Sequence, residues 1–245
     1  MSGGREFRHF ADMATASEAA ARDIARTLIE AVETRSGATL VLAGGSTPRW
    51  IHERLGDPGM SPQIPWHHVH LFWGDERCVP PDDEASNFAM ARSSLIDRIE
   101  IPPENVHRIR GELPPAEAAA GYESELRRHF GDGRPPAFDC VMLGMGADGH
   151  TASLFPGDLL VDESERWVGW TGGAHASPPV PRVSLTLPSL HAAHRIVFVV
   201  SGEAKGRVVR DIEEGSERSR QYPAARVHCA GSTSWYVAAE DAPVS

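Results

Sequence analysis

The sequence predicts an α/β fold, a mostly parallel sheet with helices on both faces. Compact apolar runs at residues 39–43, 69–73, 140–143 and 195–200 alternate with longer helical stretches, the order of successive βαβ units. Short apolar runs of this kind are what strands covered on both faces look like. The runs ending at Ala43, Trp73 and Leu143 each pass directly into glycine, at Gly44, Gly74 and Gly144. Glycine at the carboxyl end of a parallel strand lets the backbone approach a ligand closely. The chemistry is therefore expected along one edge of the sheet.

The elements follow in order. Residues 6–10 suit an edge strand. Residues 14–34 are rich in alanine and read as a helix, with Thr15 and Glu18 at capping-box spacing and Gly37 beyond the end. Past strand 39–43, Pro48 fits the first turn of a helix over 48–55. Strand 69–73 leads into a polar loop, 74–86, and then a helix near 87–99. A loop rich in Pro and Glu, 102–115, precedes helix 116–130. Strand 140–143 and its glycine turn come next. Residues 156–181 carry little signal beyond a strand near 166–170. Strands at 182–187 and 195–200, a helix at 203–212 and a strand at 234–239 complete the chain. No repeat or low-complexity tract interrupts this order, and the stretch near Pro114 reads as a loop. Residues 1–245 are expected to form one domain.

Composition narrows the function classes. Hydrophobic residues make up 41% and charged residues 24% of 245, ordinary for a soluble protein with a sizeable core. A formal charge of −10 argues against nucleic acid and anionic membranes as partners. It leaves room for a small anionic substrate held by a few local cations. Cys78, Cys140 and Cys229 are too widely spaced and too few for a disulfide framework. The polar start, Met1 to His9, lacks the apolar core of a signal peptide, and no apolar run approaches the length of a bilayer span. A cytoplasmic location is the expectation; the oligomeric state is left open.

Five segments carry candidate chemistry. Gly44-Gly45-Ser46-Thr47-Pro48 lies between a strand and a helix start, where free N–H groups and the helix dipole favour an anion. It lacks the Gly-Lys-Ser/Thr of a Walker A loop, and a tight turn with an N-cap explains it equally well. Asp75, Glu76 and Arg77 follow Gly74 at a strand end, and read as substrate-orienting charges or as a solvated turn. Ser86-Asn87 looks like a helix cap. The turn from Gly144 to Gly149 matches Gly-x-Gly-x-x-Gly, but Pro156 follows too soon for the long helix of a dinucleotide fold. It ends on Asp148 and His150, a pair able to accept and return a proton near neutral pH. Lys205 falls in the first turn of a helix, where a cation opposes the dipole unless an anion is bound. Arg182, after a Pro-rich loop, suits the same role. His67, His68 and His70 resemble a metal tract, yet alternate strand residues face opposite ways and no Cys or carboxylate is near in sequence. Ser153 lacks the Gly-x-Ser-x-Gly setting of a nucleophile elbow.

Together the segments resemble the 6-phosphogluconolactonase family. The resemblance rests on residues 42–48, residues 74–80 with Asp83 and Ser86-Asn87, residues 143–156, residues 181–186 and residues 202–205, in the family's order across most of the chain. Ser184 departs from the usual Arg-Ile-Thr run, with Thr186 still in phase. The related glucosamine-6-phosphate deaminases share the Gly-Ser-Thr-Pro and Asp-Gly-His elements. They typically carry an aromatic residue where Arg77 stands and Phe-Asn-Glu-Pro in place of residues 153–156. The resemblance implies a Rossmann-like sheet of the sugar-phosphate isomerase/deaminase type, and hydrolysis of 6-phospho-D-glucono-1,5-lactone in the oxidative pentose phosphate pathway. It implies that Lys205, Arg182 and the Gly44, Gly45, Ser46 and Thr47 turn hold the phosphate while His150 activates water. Asp148 or Asp75 would orient the histidine or bind sugar hydroxyls, and Arg77 would meet the oxyanion or a hydroxyl. No step calls for a metal or an organic cofactor. The alternatives on the same scaffold are an amino-sugar-phosphate deaminase and a sugar-phosphate-binding regulatory module.

Overall fold

A computed structural model describes residues 4–174 and 176–239, so the first three residues of the polar start lie outside it. Its six-stranded sheet runs in the order β1-β9-β8-β5-β2-β3, and every neighbouring pair is parallel. The strands are β1 (Arg5–Phe10), β2 (Ala38–Leu42), β3 (Val69–Trp73), β5 (Cys140–Leu143), β8 (Arg195–Ser201) and β9 (Ser232–Ala238). All residues of β2 and β5 are buried, which requires cover on both faces. As expected, β1 is an edge strand. No helix among the described residues is long and apolar enough to cross a membrane.

The order of strands positions the site. From β2 the chain moves outward to β3, whereas from β5 it moves the other way, through β8 to β9. The two halves part between β2 and β5, and the crevice beyond their carboxyl ends is where such sheets bind ligands. Both glycine turns, after Leu42 and after Leu143, open there.

A second, antiparallel sheet, β4-β7-β6, was not expected from the sequence. It comprises β4 (Asp75–Arg77), β6 (Val168–Thr171) and β7 (Arg182–Leu185). The predicted polar loop after β3 thus contains a strand. Asp75 and Glu76 are buried there with their carboxylates hydrogen-bonded, so no apolar pattern announces the strand.

Helix α1 (Met13–Arg35) is capped by Asp12, whose carboxylate accepts the Thr15 N–H at 2.8 Å. The capping box expected at Thr15 and Glu18 therefore does not form; the helix starts earlier, and Glu18 pairs with Arg22 instead. Buried Asp23 ties α1 to the sheet. It accepts from Arg8 at 2.8 Å, Arg195 at 3.2 Å and the Tyr236 hydroxyl. Helix α2 (Ser46–Leu55) starts two residues before Pro48, which sits in its first turn. Helix α3 (Asn87–Ser94) ends sooner than expected, and residues Ile96–Arg98 form a 3₁₀ turn. Helix α4 (Pro115–Phe130) covers the β3 edge. Its Tyr122 hydroxyl accepts the Trp73 N–H at 2.8 Å and donates to the Trp73 carbonyl at 2.9 Å. Two short helices, α5 (Leu187–His191) and α7 (Pro223–Arg226), flank α6 (Glu203–Glu213).

One buried histidine makes stability depend on pH. His52 of α2 is fully buried, with Nδ1 3.1 Å from the Ser94 hydroxyl of α3. Burial, helped by the charge of Arg49, pushes it down to about 3. The unfolded chain binds this proton below the ordinary value near 6.5 while the folded chain does not, so stability falls as pH drops from about 6.5 toward 3. At about 1.4 kcal/mol per pH unit, this one group should cost the fold ~2 kcal/mol between pH 6.5 and pH 5. Urea midpoints of the wild type and His52→Gln across that range test it: the variant should lose less stability on acidification. Equal losses would show that His52 is not the acid-sensitive group.

Candidate active site

A cavity of about 430 Å³ lies at the carboxyl edge of the large sheet. Its wall includes all ten residues proposed from the sequence: Gly44, Gly45, Ser46, Thr47, Asp75, Arg77, Asp148, His150, Arg182 and Lys205. An adjoining recess of about 800 Å³ shares Gly45, Ser46, Thr47, Arg77 and Lys205 with it and adds Arg49 and Trp50. Lys205 and Arg77 thus border both spaces, whereas His150 and Arg182 border only the smaller one.

The histidine is held on one side by a carboxylate. His150 Nδ1 donates to Asp148 Oδ1 at 2.6 Å, leaving Nε2 as the free ring nitrogen. Burial lifts the Asp148 carboxyl, but the hydrogen bond and charge of His150 outweigh it and hold Asp148 below its ordinary value. The Phe155 ring lies 4.7 Å from the imidazole. The Arg182 guanidinium sits over the same Phe155 ring, 5.8 Å from its centroid. A Cβ at Gly146 would overlap both the His150 ring and the Asp148 carboxylate, so the first half of the glycine turn makes space for this pair. Gly149 has φ +80°, and a Cβ there would strike Tyr222. Gly146 thus leaves room for the histidine pair and Gly149 for Tyr222. No helix follows the turn; Thr151 and Leu154 form an isolated bridge.

Two uncapped helix starts border these spaces: that of α2 lines both, and that of α6 lines the larger recess, with Lys205 bordering both. Helix α2 begins after Gly45, at φ +103°, and α6 begins after Gly202, at φ +88°. Neither receives a hydrogen bond from a capping side chain, so their first N–H groups remain available for an anion. Thr47 Oγ1 and Ser201 Oγ lie 3.3 Å apart and join the two helix starts. Lys205 stands in the first turn of α6, where the sequence placed it.

Asp75 occupies the floor and is tied to neighbours other than His150. Its Oδ2 accepts from Ser153 Oγ at 2.6 Å and lies 3.9 Å from Arg182 Nη1. Its Oδ1 accepts from Asn87 Nδ2 at 3.0 Å. Ser153, unsuited as a nucleophile, is thus a hydrogen-bond donor to Asp75. Its own N–H donates to the Ser184 hydroxyl at 3.1 Å, which gives that residue a place in the site. Asn87 does more than begin a helix, and a Cβ at Gly44 would overlap its amide.

Glu76, read from the sequence only as part of a charged segment, has a structural place of its own. Its carboxylate accepts from Arg77 N, Ser86 Oγ, Asn87 N and Phe88 N at 2.7–3.0 Å and so holds the α3 start against β4. Burial pushes the Glu76 carboxyl up, and the four donors only partly offset it. Arg77 Nη1 donates to the Ala85 carbonyl, and the buried Nε atoms of Arg77 and Arg182 have no hydrogen-bond partner among the described residues.

Comparison with known proteins shows the family of the chain. A family profile described as Glucosamine-6-phosphate isomerases/6-phosphogluconolactonase matches residues 11–235. A 6-phosphogluconolactonase of Mycobacterium leprae is 39% identical over 239 residues, covering 95% of each chain. One of Aggregatibacter actinomycetemcomitans is 36% identical over 219 residues, 89% of this chain and 92% of the relative. The crystal structure of 6-phosphogluconolactonase from Thermotoga maritima superposes with a TM-score of 0.85 at 31% identity, over 96% of this chain and all of that one. The chain therefore belongs to the glucosamine-6-phosphate isomerase/6-phosphogluconolactonase family, and within it to the 6-phosphogluconolactonases.

Proposed function

We propose that this chain hydrolyses 6-phospho-D-glucono-1,5-lactone to 6-phosphogluconate, with His150 as the general base. The observation that carries this reading is one cavity lined by a carboxylate-held histidine, the uncapped α2 start and Lys205, which also borders the adjoining recess lined by the uncapped α6 start. The phosphate binds against the first N–H groups of α2 and α6, between Lys205 and Arg77. This placement moves Arg182 toward the carbonyl end, because it shares Phe155 with His150.

His150 Nε2 takes a proton from water as the oxygen attacks the lactone carbonyl. The carbonyl electrons move onto oxygen, and Arg182 supports that developing charge. When the tetrahedral intermediate collapses, the bond to the ring oxygen breaks and His150 returns the proton to it. Asp148 keeps Nδ1 protonated throughout and stabilises the imidazolium. Every proton is accounted for by one histidine and one water.

Lactone hydrolysis measured above the spontaneous rate tests the function; ammonia release from glucosamine 6-phosphate without lactone turnover would overturn it. Lys205→Ala tests the phosphate end. It should raise KM by about tenfold or more, as loss of one charged hydrogen bond of ~1.5–3 kcal/mol would. The pH profile of kcat should stay in place. An unchanged KM would remove Lys205 from the binding site.

A further inference from the structure

Away from the cavity, three histidines distant in sequence meet at the β3 edge of the large sheet. His70 belongs to β3. His107 lies on the segment that continues this edge, where Val106 bridges Leu71 and the His107 N–H donates to the Leu71 carbonyl at 2.9 Å. His129 comes from the last turn of α4. One ring nitrogen of each lies within 4.8 Å of the other two, and all three residues are half-buried. His70 Nδ1 and His107 Nε2 are 2.9 Å apart.

The surroundings orient the rings. His107 Nδ1 donates to Glu125 Oε1 at 2.9 Å. That contact turns the Nε2 lone pair toward the other two histidines, the carboxylate–histidine arrangement that positions metal ligands. Phe72 stacks on His107 at 4.5 Å and meets His129 edge-on at 5.2 Å.

We propose that His70, His107 and His129 bind a divalent transition-metal ion of the zinc class, with Glu125 positioning His107 and water completing the shell. Nitrogens around tetrahedral zinc, at about 2.0–2.1 Å from the metal, lie ~3.3 Å apart. Small side-chain rotations bring the present spacings to that value. Imidazole ligands suit zinc, copper and nickel rather than magnesium or calcium. His67 and His68, the other members of the suspected tract, fall in a 3₁₀ turn before β3 and are exposed. The fold supplies His107 and His129 in their place. His70 lies three residues, about 10 Å, before the end of β3. The ion would clamp the sheet edge to α4 and take no part in the lactone chemistry.

The test is a titration of tag-free, chelator-stripped protein with Zn²⁺ by calorimetry and with Co²⁺ by visible absorption. One equivalent should bind at micromolar concentration or below, with the d–d bands of a four-coordinate cobalt site and a raised thermal midpoint in Zn²⁺. His107→Gln and His129→Ala should each abolish that equivalent, and Glu125→Gln should weaken it by about 10–100-fold. His150→Ala and His191→Ala should retain it, which separates this site from the cavity and from the His191–His228 pair. Circular dichroism checks that each variant is folded. Absence of binding to the wild type at 100-fold higher metal (about 100 μM, ~5.5 kcal/mol of affinity) would overturn the proposal. So would an equivalent that survives in folded His129→Ala or disappears with His150→Ala.

Discussion

Replacing His150 with alanine is expected to lower kcat for the lactone by roughly 10²–10⁴-fold, the usual range for a lost general base. The fold should be almost untouched, because the imidazole is partly exposed and its polar side-chain partner among the described residues, Asp148, is itself 47% exposed. KM should change little if, as proposed, Lys205 and the helix starts hold the phosphate. Asp148→Asn should act in the same direction with a smaller effect, by releasing the ring from the tautomer that leaves Nε2 free. Gly146→Ala offers an independent check: its Cβ displaces both His150 and Asp148 while leaving their chemistry intact. Hydrolysis rates corrected for spontaneous opening decide the matter. A wild-type rate in His150→Ala would assign the base to another residue.

The parallel sheet was legible because its strands are short apolar runs that end in glycine, as at Leu42 and Leu143. The cavity was legible because its residues cluster immediately after those strand ends. What escaped were polar residues whose burial depends on distant partners. Asp75 and Glu76 read locally as substrate-orienting charges or as a solvated turn, and their burial, satisfied by Ser153, Asn87 and backbone N–H groups, had no local signal. The partner of Asp75 lies 78 positions away, beyond any local pattern. Their strand, three residues long, is also too short to show a period of two. The histidine cluster escaped for a similar reason: local spacing tests His67, His68 and His70, but the fold pairs His70 with residues from a loop and a helix end. Between Asp148 and Asp75 as the histidine's partner, sequence offered no choice, and contact at 2.6 Å points to Asp148.

Asp75→Ala should then be costly for a reason different from His150→Ala. Asp75 is the ion-pair partner of Arg182 among the described residues, and both are buried, at 6% and 4% exposure. Its removal takes the ion-pair partner from a buried guanidinium, leaving only the weaker influence of Glu76, and strands the Ser153 hydroxyl. Breaking a buried pair from one side costs about 3–5 kcal/mol, a large part of the ~5–15 kcal/mol that holds a typical domain together. Asp75→Asn separates shape from charge. The amide oxygen can still accept from Asn87 Nδ2, and its NH₂ can donate to Ser153 Oγ. The loss of stability should therefore be smaller, while Arg182 gains an uncompensated charge beside the reacting carbonyl. If Asp75 positions the floor of the cavity, Asp75→Asn should lower the urea midpoint and alter KM and kcat. The acid limb of the kcat profile should remain where it is in the wild type. If Asp75 instead served His150, that limb would move with the substitution, and the assignment of Asp148 as the histidine's partner in catalysis would fall.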